Sequence, residues 1–396
     1  MAEEKKMHGF RAKLDYWLKH NKTFYKVFNV TASSFMRLWG KFLSVDENLV
    51  VFSAHSRKYN DSPKALYEYM ISHPDKYGKY KCVWALEDPE NAVIPGPAKK
   101  IKSDTLEYFK TTLKAKYWIT CVNIERSLHY KKKECRFLNT WHGGPVKYGG
   151  NDTVGRQDYD FSAVDVFCYA SEFEKPIQIR SLGTRAEAMI PCGSPRNDEL
   201  YRTTPEEVLS IKKKLGLPLD KKLILYAPTW RDSSDGGSSY TMAPPINISY
   251  WEHMLGKDYI LLMRTHQYTN KLLGVEFNDF CRDFCSYPVV NDLIKVSDIM
   301  ISDYSAIIQD FSILEKPILC FAYDFEGFRD SRGLYLDYEK DMPSGILRTE
   351  QDVVNYILTM DYDEECIKTT RMIKNKIATY GGNATVTCLN KLFEEK

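Results

Sequence analysis

No stretch of about 18 uncharged apolar residues occurs in the 396-residue chain, so a membrane-spanning helix is not expected. The opening residues, MAEEKKMHGF, lack the apolar run of a secretory signal. Neither G-x-x-x-x-G-K-[ST] nor G-x-G-x-x-G is present, which removes the fingerprints of a P-loop nucleotidase and of an ordinary dinucleotide dehydrogenase. None of the ten cysteines forms C-x-x-C, and Cys281 and Cys285 have no partner pair at zinc-site spacing. Several sit in apolar runs, such as Cys168 in DVFCYA and Cys320 in PILCFA. The cysteines are therefore expected to be small buried hydrophobes in a reducing compartment, not disulfides or metal ligands. Repeats and low-complexity tracts are also missing. Net charge is scarce: Lys plus Arg is 55 against 53 Asp plus Glu, a formal +2, which excludes a uniformly basic nucleic-acid binder. Disorder is excluded by 43% hydrophobic and 13% aromatic residues, enough for sizeable cores.

The charge that is there is unevenly placed. Residues 1–43 hold nine Lys or Arg against three acids, a formal +6, so the remaining residues carry −4 of the chain's +2. The same segment holds nine aromatics, and Leu14, Trp17 and Leu18, then Phe35, Leu38, Trp39 and Phe42, follow helical spacing. A basic, aromatic-rich amphipathic segment suits an anionic membrane surface, where rings sit at headgroup depth and Lys and Arg meet lipid charge. Packing of the same helices on the protein's own body is the competing expectation.

After Ser44 short apolar runs alternate with helical stretches. Strands are expected at 49–54, 81–86, 117–122, 136–141 and 165–170, then at 222–227, 259–264, 297–302 and 317–322. Helices are expected at 62–73, 103–114, 205–215, 304–314 and 350–360, with two more in 364–393 separated by Gly381 and Gly382. Strands alternating with helices indicate an α/β fold of βαβ units with parallel sheets. A polar, turn-rich break at 193–205 separates the two series. The expected layout is a membrane-association segment (1–43), two Rossmann-like doubly wound domains (44–200 and 201–363) facing a cleft, and C-terminal helices (364–396). In such sheets ligands bind beyond the carboxyl ends of strands.

Four motifs stand at those ends. In NTWHGGPVKYGG (139–150), His142 is a candidate general base, and Gly143 and Gly144 permit close approach of a ligand and can present N–H groups to an anion. In LYAPTWRD (225–232), Arg231 suits a phosphate. In LLMRTHQY (261–268), Arg264 and His266 point to one side of an extended chain and can stabilise a diphosphate and its leaving group. In VSDIMISDYSAIIQDF (296–311), Ser302 or Asp303 can cap the following helix, Ser305 lies in its first turn, where anions bind, and Asp310 can meet a ribose or lie exposed. Two histidines, two arginines and a helix start from both domains fit a nucleotide-diphosphate ligand.

At these residues the chain resembles the CDP-glycerol glycerophosphotransferase family of teichoic acid synthesis. The likeness runs in order through FSAHSRKYNDSPKALYEYM (52–70), TWHGGPVK (140–147), GSPRND (193–198), YAPTWRD (226–232), RTH (264–266), SDYSAIIQDF (302–311), KPILCFAYD (316–324) and RGLYLDY (332–338). The resemblance implies a GT-B fold, peripheral attachment to the cytoplasmic face of the membrane, and transfer of glycerol phosphate from CDP-glycerol to an undecaprenyl-diphosphate-linked saccharide, releasing CMP. It assigns catalysis to His142 and His266. It carries Arg264, Ser302, Asp303 and Ser305 to the donor side, where Arg231 and Asp310 are read from their own motifs, and Gly143 and Gly144 form the acceptor or phosphate loop. The family's usual Gly-Thr-Pro is Gly143-Gly144-Pro145 here, which removes a hydroxyl, and its usual His-Pro is His266-Gln267. The motifs leave open CDP-ribitol as donor, primase against polymerase, and a nucleotide-sugar glycosyltransferase or epimerase on the same fold. No resident cofactor or carboxylate cage for a metal is expected; Mg²⁺ would arrive with the donor. Nucleic acid is not an expected partner.

Overall fold

The computed structural model describes residues 22–156, 158–229, 240–242, 245–265, 269–272 and 275–394. They form two compact units. The first takes the described residues up to Asn139 together with Ala163–Asp165; the second takes Thr140–Ser162 and everything from Val166 onward.

In the first unit the strands are β1 (Asp46–Ser53), β2 (Lys81–Leu86), β3 (Lys99–Lys102), β4 (Ala115–Thr120) and β5 (Arg136–Asn139). They lie parallel in the order β3-β2-β1-β4-β5. Their apolar residues are consecutive instead of alternating because helices cover both faces, as parallel sheets require. Phe52 stacks on Trp84 at 5.2 Å, with Tyr67 from the helix Asp61–Ser72 edge-on to both rings. The strand order reverses between β1 and β4, and the 52–70 motif leaves β1 at that point.

The helix Lys22–Lys41 belongs to this unit and buries one face. Asn29 donates to the Ser127 carbonyl at 2.6 Å, the Ser33 hydroxyl accepts from His129 N at 3.2 Å, and Met36 is buried. On the opposite side, rotated by about half a turn at 3.6 residues per turn, lie Val27, Phe35, Leu38 and Phe42, with Phe42 80% exposed. The basic residues Lys26, Arg37 and Lys41 are exposed along one edge of that apolar stripe. Residues 1–21, which hold the other half of the expected amphipathic segment, lie outside the described residues.

In the second unit β6 (Val166–Tyr169) pairs with β7 (Met189–Pro191). The main sheet contains β8 (Lys222–Ala227), β10 (Tyr259–Met263), β12 (Cys281–Asp283), β13 (Ile299–Ser302), β14 (Ile318–Phe321) and β15 (Ile346–Leu347). The order is β12-β10-β8-β13-β14-β15, all parallel. A separate two-stranded piece joins β9 (Tyr240–Met242) to β11 (Thr269–Leu272). Apolar clusters fill both faces of the main sheet, one built on Leu223, Leu225, Met300 and Phe311, the other on Ile224, Tyr226, Trp251 and Ile301. Thr204 caps the helix Pro205–Lys214 through its hydroxyl, with Pro205 in the first turn. The strand order reverses between β8 and β13, which puts the sheet's ligand crevice at the motifs ending those strands. Among the described residues no helix is long and apolar enough to cross a membrane.

Candidate functional site

The ends of β8 and β13 are laced together. The Ser302 hydroxyl, fully buried, donates to the Ala227 carbonyl at 2.7 Å. One carboxylate oxygen of Asp303 accepts from Thr229 N and Tyr304 N, each at 2.7 Å, and the Asp303 carbonyl accepts from the Tyr338 hydroxyl at 2.8 Å. Ser302 and Asp303 thus set the shape of the crevice floor from within. Tyr304 is core as well: its ring stacks on Phe328 at 3.7 Å and its hydroxyl reaches Asp324. The chain then emerges at Ser305, half-buried, whose hydroxyl accepts from Ile307 N at 3.5 Å at the head of the short helix Ile307–Ser312.

Against that helix head lies the histidine loop. Trp141 has φ 53°, a left-handed conformation that costs a bulky residue about 1–3 kcal/mol and persists only where packing over-determines it. Here Tyr159 and Phe161 hold the indole edge-on at 6.2 and 5.7 Å, and the His142 ring sits 4.2 Å from it. A Cβ on Gly143 would stand 3.1 Å from the Ala306 Cβ, and one on Gly144 would stand 2.1 Å from Gln309 Oε1. The paired glycines therefore let the loop seat directly on the first turn of the helix that follows Ser305. On its other side the loop pairs with the RGLYLDY motif: Tyr148 N donates to the Gly333 carbonyl and Tyr335 N to the Val146 carbonyl. The Tyr335 hydroxyl and Arg180 both hold Asp152. Gly333, at φ 74°, packs so closely on the Tyr148 ring that a Cβ would lie 2.3 Å from it.

Gln309 and Asp310 hold the helix from behind. Gln309 donates to the Ile377 carbonyl at 2.5 Å and hydrogen-bonds to the buried Glu174, which also accepts from Ala170 N and Gln178. Asp310 is 6% exposed; it accepts from Asn197 at 2.6 Å and forms an ion pair with Arg196 at 3.1 Å. Asp198, the next residue, caps the C-terminal helix by accepting from Ala384 N and Thr385 N. The turn-rich GSPRND segment, which reads in sequence as a domain break, is thus a polar hub. Its arginine, amide and acid in adjacent positions were the available signal.

Burial pushes the Glu174 carboxyl up to about 8, against hydrogen bonds that favour its charged form. A carboxyl raised in the fold holds its proton while the unfolded chain gives it up, so stability falls as pH rises from about 4.5 to about 8. Glu174→Gln should flatten that decline in a series of urea-unfolding curves from pH 5 to 8.

Arg264 follows β10. Its Nη1 donates to the carbonyls of Phe284, Cys285 and Tyr287 at 2.9, 2.8 and 2.5 Å, and burial lowers its pKa from the ordinary value. This ties the loop after β12 to the end of β10. The two remaining candidates, Arg231 and His266, lie outside the described residues. Of the expected set, the structure brings the loop of His142, Gly143 and Gly144 onto the helix carrying Asp310, next to Ser305. Ser302 and Asp303 lie beneath as buried supports. Among the described residues the grouping with metal-ligand spacing is Cys168, Cys192 and Cys388, which is cysteine-based and unlike a Mg²⁺ site.

The arrangement offers a half-buried imidazole, backbone N–H groups freed of side chains, and a helix head with a hydroxyl, a combination suited to a phosphoryl group and an attacking hydroxyl. Comparison with known proteins shows the family. The profile of the CDP-glycerol:poly(glycerophosphate) glycerophosphotransferase family matches residues 34–393. The teichoic acid poly(glycerol phosphate) polymerase of Bacillus spizizenii is 30% identical over 351 residues, covering 81% of this chain and 88% of that one. The polymerase of the same description from Staphylococcus epidermidis is 32% identical over 340 residues and 80% of this chain, which spans 46% of that longer relative. Among solved structures, a variant of the wall teichoic acid polymerase TagF soaked with CDPG superposes with a TM-score of 0.78 at 27% identity, covering 96% of this chain and 97% of that one.

Proposed function

Because the chain belongs to the CDP-glycerol:poly(glycerophosphate) glycerophosphotransferase family, we propose that it transfers glycerol phosphate from CDP-glycerol to a lipid-linked acceptor of teichoic acid type and releases CMP. The observation that carries this reading is the seating of Gly143 and Gly144 on Ala306 and Gln309, which joins the histidine loop to the helix head at Ser305. An acceptor hydroxyl attacks the phosphorus that bears glycerol; the new P–O bond forms as the bond to the CMP phosphate breaks. His142 takes the hydroxyl proton. Arg264 and His266 offset charge on the diphosphate and on departing CMP, Arg231 binds the donor phosphates, and Ser305 holds their oxygens. Asp310, clamped by Arg196 and Asn197, fixes the helix position. Phosphoryl transfer depends mainly on positioning and charge stabilisation, so this set suffices chemically. Mg²⁺, where required, would enter on the donor diphosphate.

Donor choice tests the reading. Purified protein given a lipid-linked acceptor with CDP-glycerol, CDP-ribitol or UDP-sugars should form CMP from CDP-glycerol only. CMP from CDP-ribitol alone would move the protein to the ribitol branch, and UDP formation from a UDP-sugar would reject the glycerophosphotransferase.

The exposed stripe of Val27, Phe35, Leu38 and Phe42, edged by Lys26, Arg37 and Lys41, supports attachment to an anionic bilayer, where the acceptor resides. The opposite face is already engaged by Ser127 and His129, so insertion of the stripe leaves the helix's packing intact. Burial of each large apolar side chain contributes about 1.5–3 kcal/mol. The triple substitution Phe35→Asp, Leu38→Asp, Phe42→Asp should lower partition onto phosphatidylglycerol vesicles by more than about tenfold, with turnover on a soluble acceptor analogue preserved. Unchanged sedimentation with vesicles would reject the anchor.

A further inference from the structure

Cys168 on β6, Cys192 directly after β7 and Cys388 on the helix Ala384–Phe393 lie far apart in sequence and meet inside the second unit. The Cys388 sulfur is 3.2 Å from that of Cys168 and 3.7 Å from that of Cys192, and all three lie within 4.8 Å of one another. All three residues are buried. Metal–sulfur bonds of about 2.3 Å place thiolates roughly 3.8–4.0 Å apart on a tetrahedral face or trigonal plane. The existing triangle closes on an ion with sulfur shifts of a few tenths of an ångström.

Each sulfur is held on a fixed element. β6 and β7 pair directly, with Cys168 opposite Ile190. Asp198 pins the first turn of the Cys388 helix through Ala384 N and Thr385 N, one turn before the cysteine. Next to Cys192, Gly193 sits at φ 76° with its Cβ position 2.4 Å from the Tyr380 carbonyl, so the backbone there is fixed where other residues do not fit. Donors preset on rigid elements are what a metal centre needs.

We propose that Cys168, Cys192 and Cys388 form a structural site for one thiophilic d¹⁰ cation, which staples the C-terminal helix to β6 and β7. Three sulfur donors select zinc(II), whose fourth position a water would fill, or trigonal copper(I), over magnesium, calcium or manganese. Charge favours zinc: three thiolates leave −1 on a zinc site and −2 on a copper(I) site, and a smaller buried charge costs less. Binding breaks three S–H bonds and forms three metal–sulfur bonds, so M²⁺ plus three thiols gives the tris-thiolate complex and three protons, with no change in oxidation state.

The test uses the full chain, purified under a phosphine reductant without oxygen, incubated separately with zinc(II) and copper(I), and desalted. About one zinc per chain should remain, and X-ray absorption at the metal edge should show sulfur neighbours at about 2.3 Å. Cys388→Ser should lower bound zinc at least tenfold, and Cys82→Ser, outside the trio, should leave it unchanged. Stoichiometric copper with no zinc retains the site and reverses the choice of ion. Wild type that holds neither ion, an edge spectrum with only oxygen and nitrogen neighbours, or a Cys168–Cys388 disulfide in place of bound metal overturns the proposal. The edge spectrum needs no variant, so the proposal stays testable if Cys388→Ser fails to fold.

Discussion

His142→Ala should lower turnover of CDP-glycerol by about two orders of magnitude or more, the loss expected when a positioned general base is removed. The fold should persist, because the loop is held by other residues. Trp141 packs against Tyr159 and Phe161, Gly143 and Gly144 seat on Ala306 and Gln309, and Val146 and Tyr148 pair with Tyr335 and Gly333. None of these contacts needs the imidazole. The measurement is CMP release at saturating donor and acceptor, with circular dichroism and unfolding midpoint as controls. A folded variant at near-normal rate would remove His142 from the mechanism. His266→Ala carries the same expectation from its motif.

Arg196→Ala should give the largest stability loss, about 3–5 kcal/mol, because it leaves the buried Asp310 carboxylate without its cationic partner. Asn197 alone then faces the charge. An exposed pair provides the contrast: Arg185 and Glu187 are 43% and 69% exposed, and Arg185→Ala should cost less than about 1 kcal/mol. Urea unfolding of both variants at neutral pH separates a buried clamp from a surface pair. Equal small losses would mean that Asp310 does not depend on Arg196. Turnover should fall with Arg196→Ala as well, since Asp310 lies on the helix that supports the histidine loop.

Much of the fold was legible in sequence where burial is two-sided. KCVWAL and KLILYA are consecutive apolar runs, and the strands begin and end on the expected residues, Lys81–Leu86 and Lys222–Ala227. Their neighbours differ at the ends. RFLNTW stops at Asn139 because Trp141 turns left-handed into the histidine loop, and the expected helix at 304–314 narrows to Ile307–Ser312 because Ser302 and Asp303 lace two strands and the helix starts only after Ser305.

The site was legible as motifs but not as roles. Ser302 and Asp303 read as ligand-facing residues in a linear motif; only the adjacency of β8 and β13 makes their partners Ala227 and Thr229. Asp310 read as a ribose acceptor or a surface acid, and its actual neighbours are Arg196 and Asn197, more than a hundred residues away. No local pattern carries that pairing. The cysteine trio escaped for the same reason: positions 168, 192 and 388 share no spacing rule, and each taken singly is a small residue in an apolar run. The basic aromatic segment was legible as amphipathic, and for its helix Lys22–Lys41 the structure adds which face is taken by the protein and which by solvent.

Transfer of glycerol phosphate is read most directly by weighing the product. Purified protein, CDP-glycerol and a synthetic lipid-diphosphate saccharide acceptor are incubated, and the lipid product is measured by mass spectrometry alongside CMP. The acceptor should gain whole glycerol phosphate units, one for each CMP released. CMP release with an acceptor of unchanged mass, or gains of ribitol phosphate or of a sugar, would contradict it.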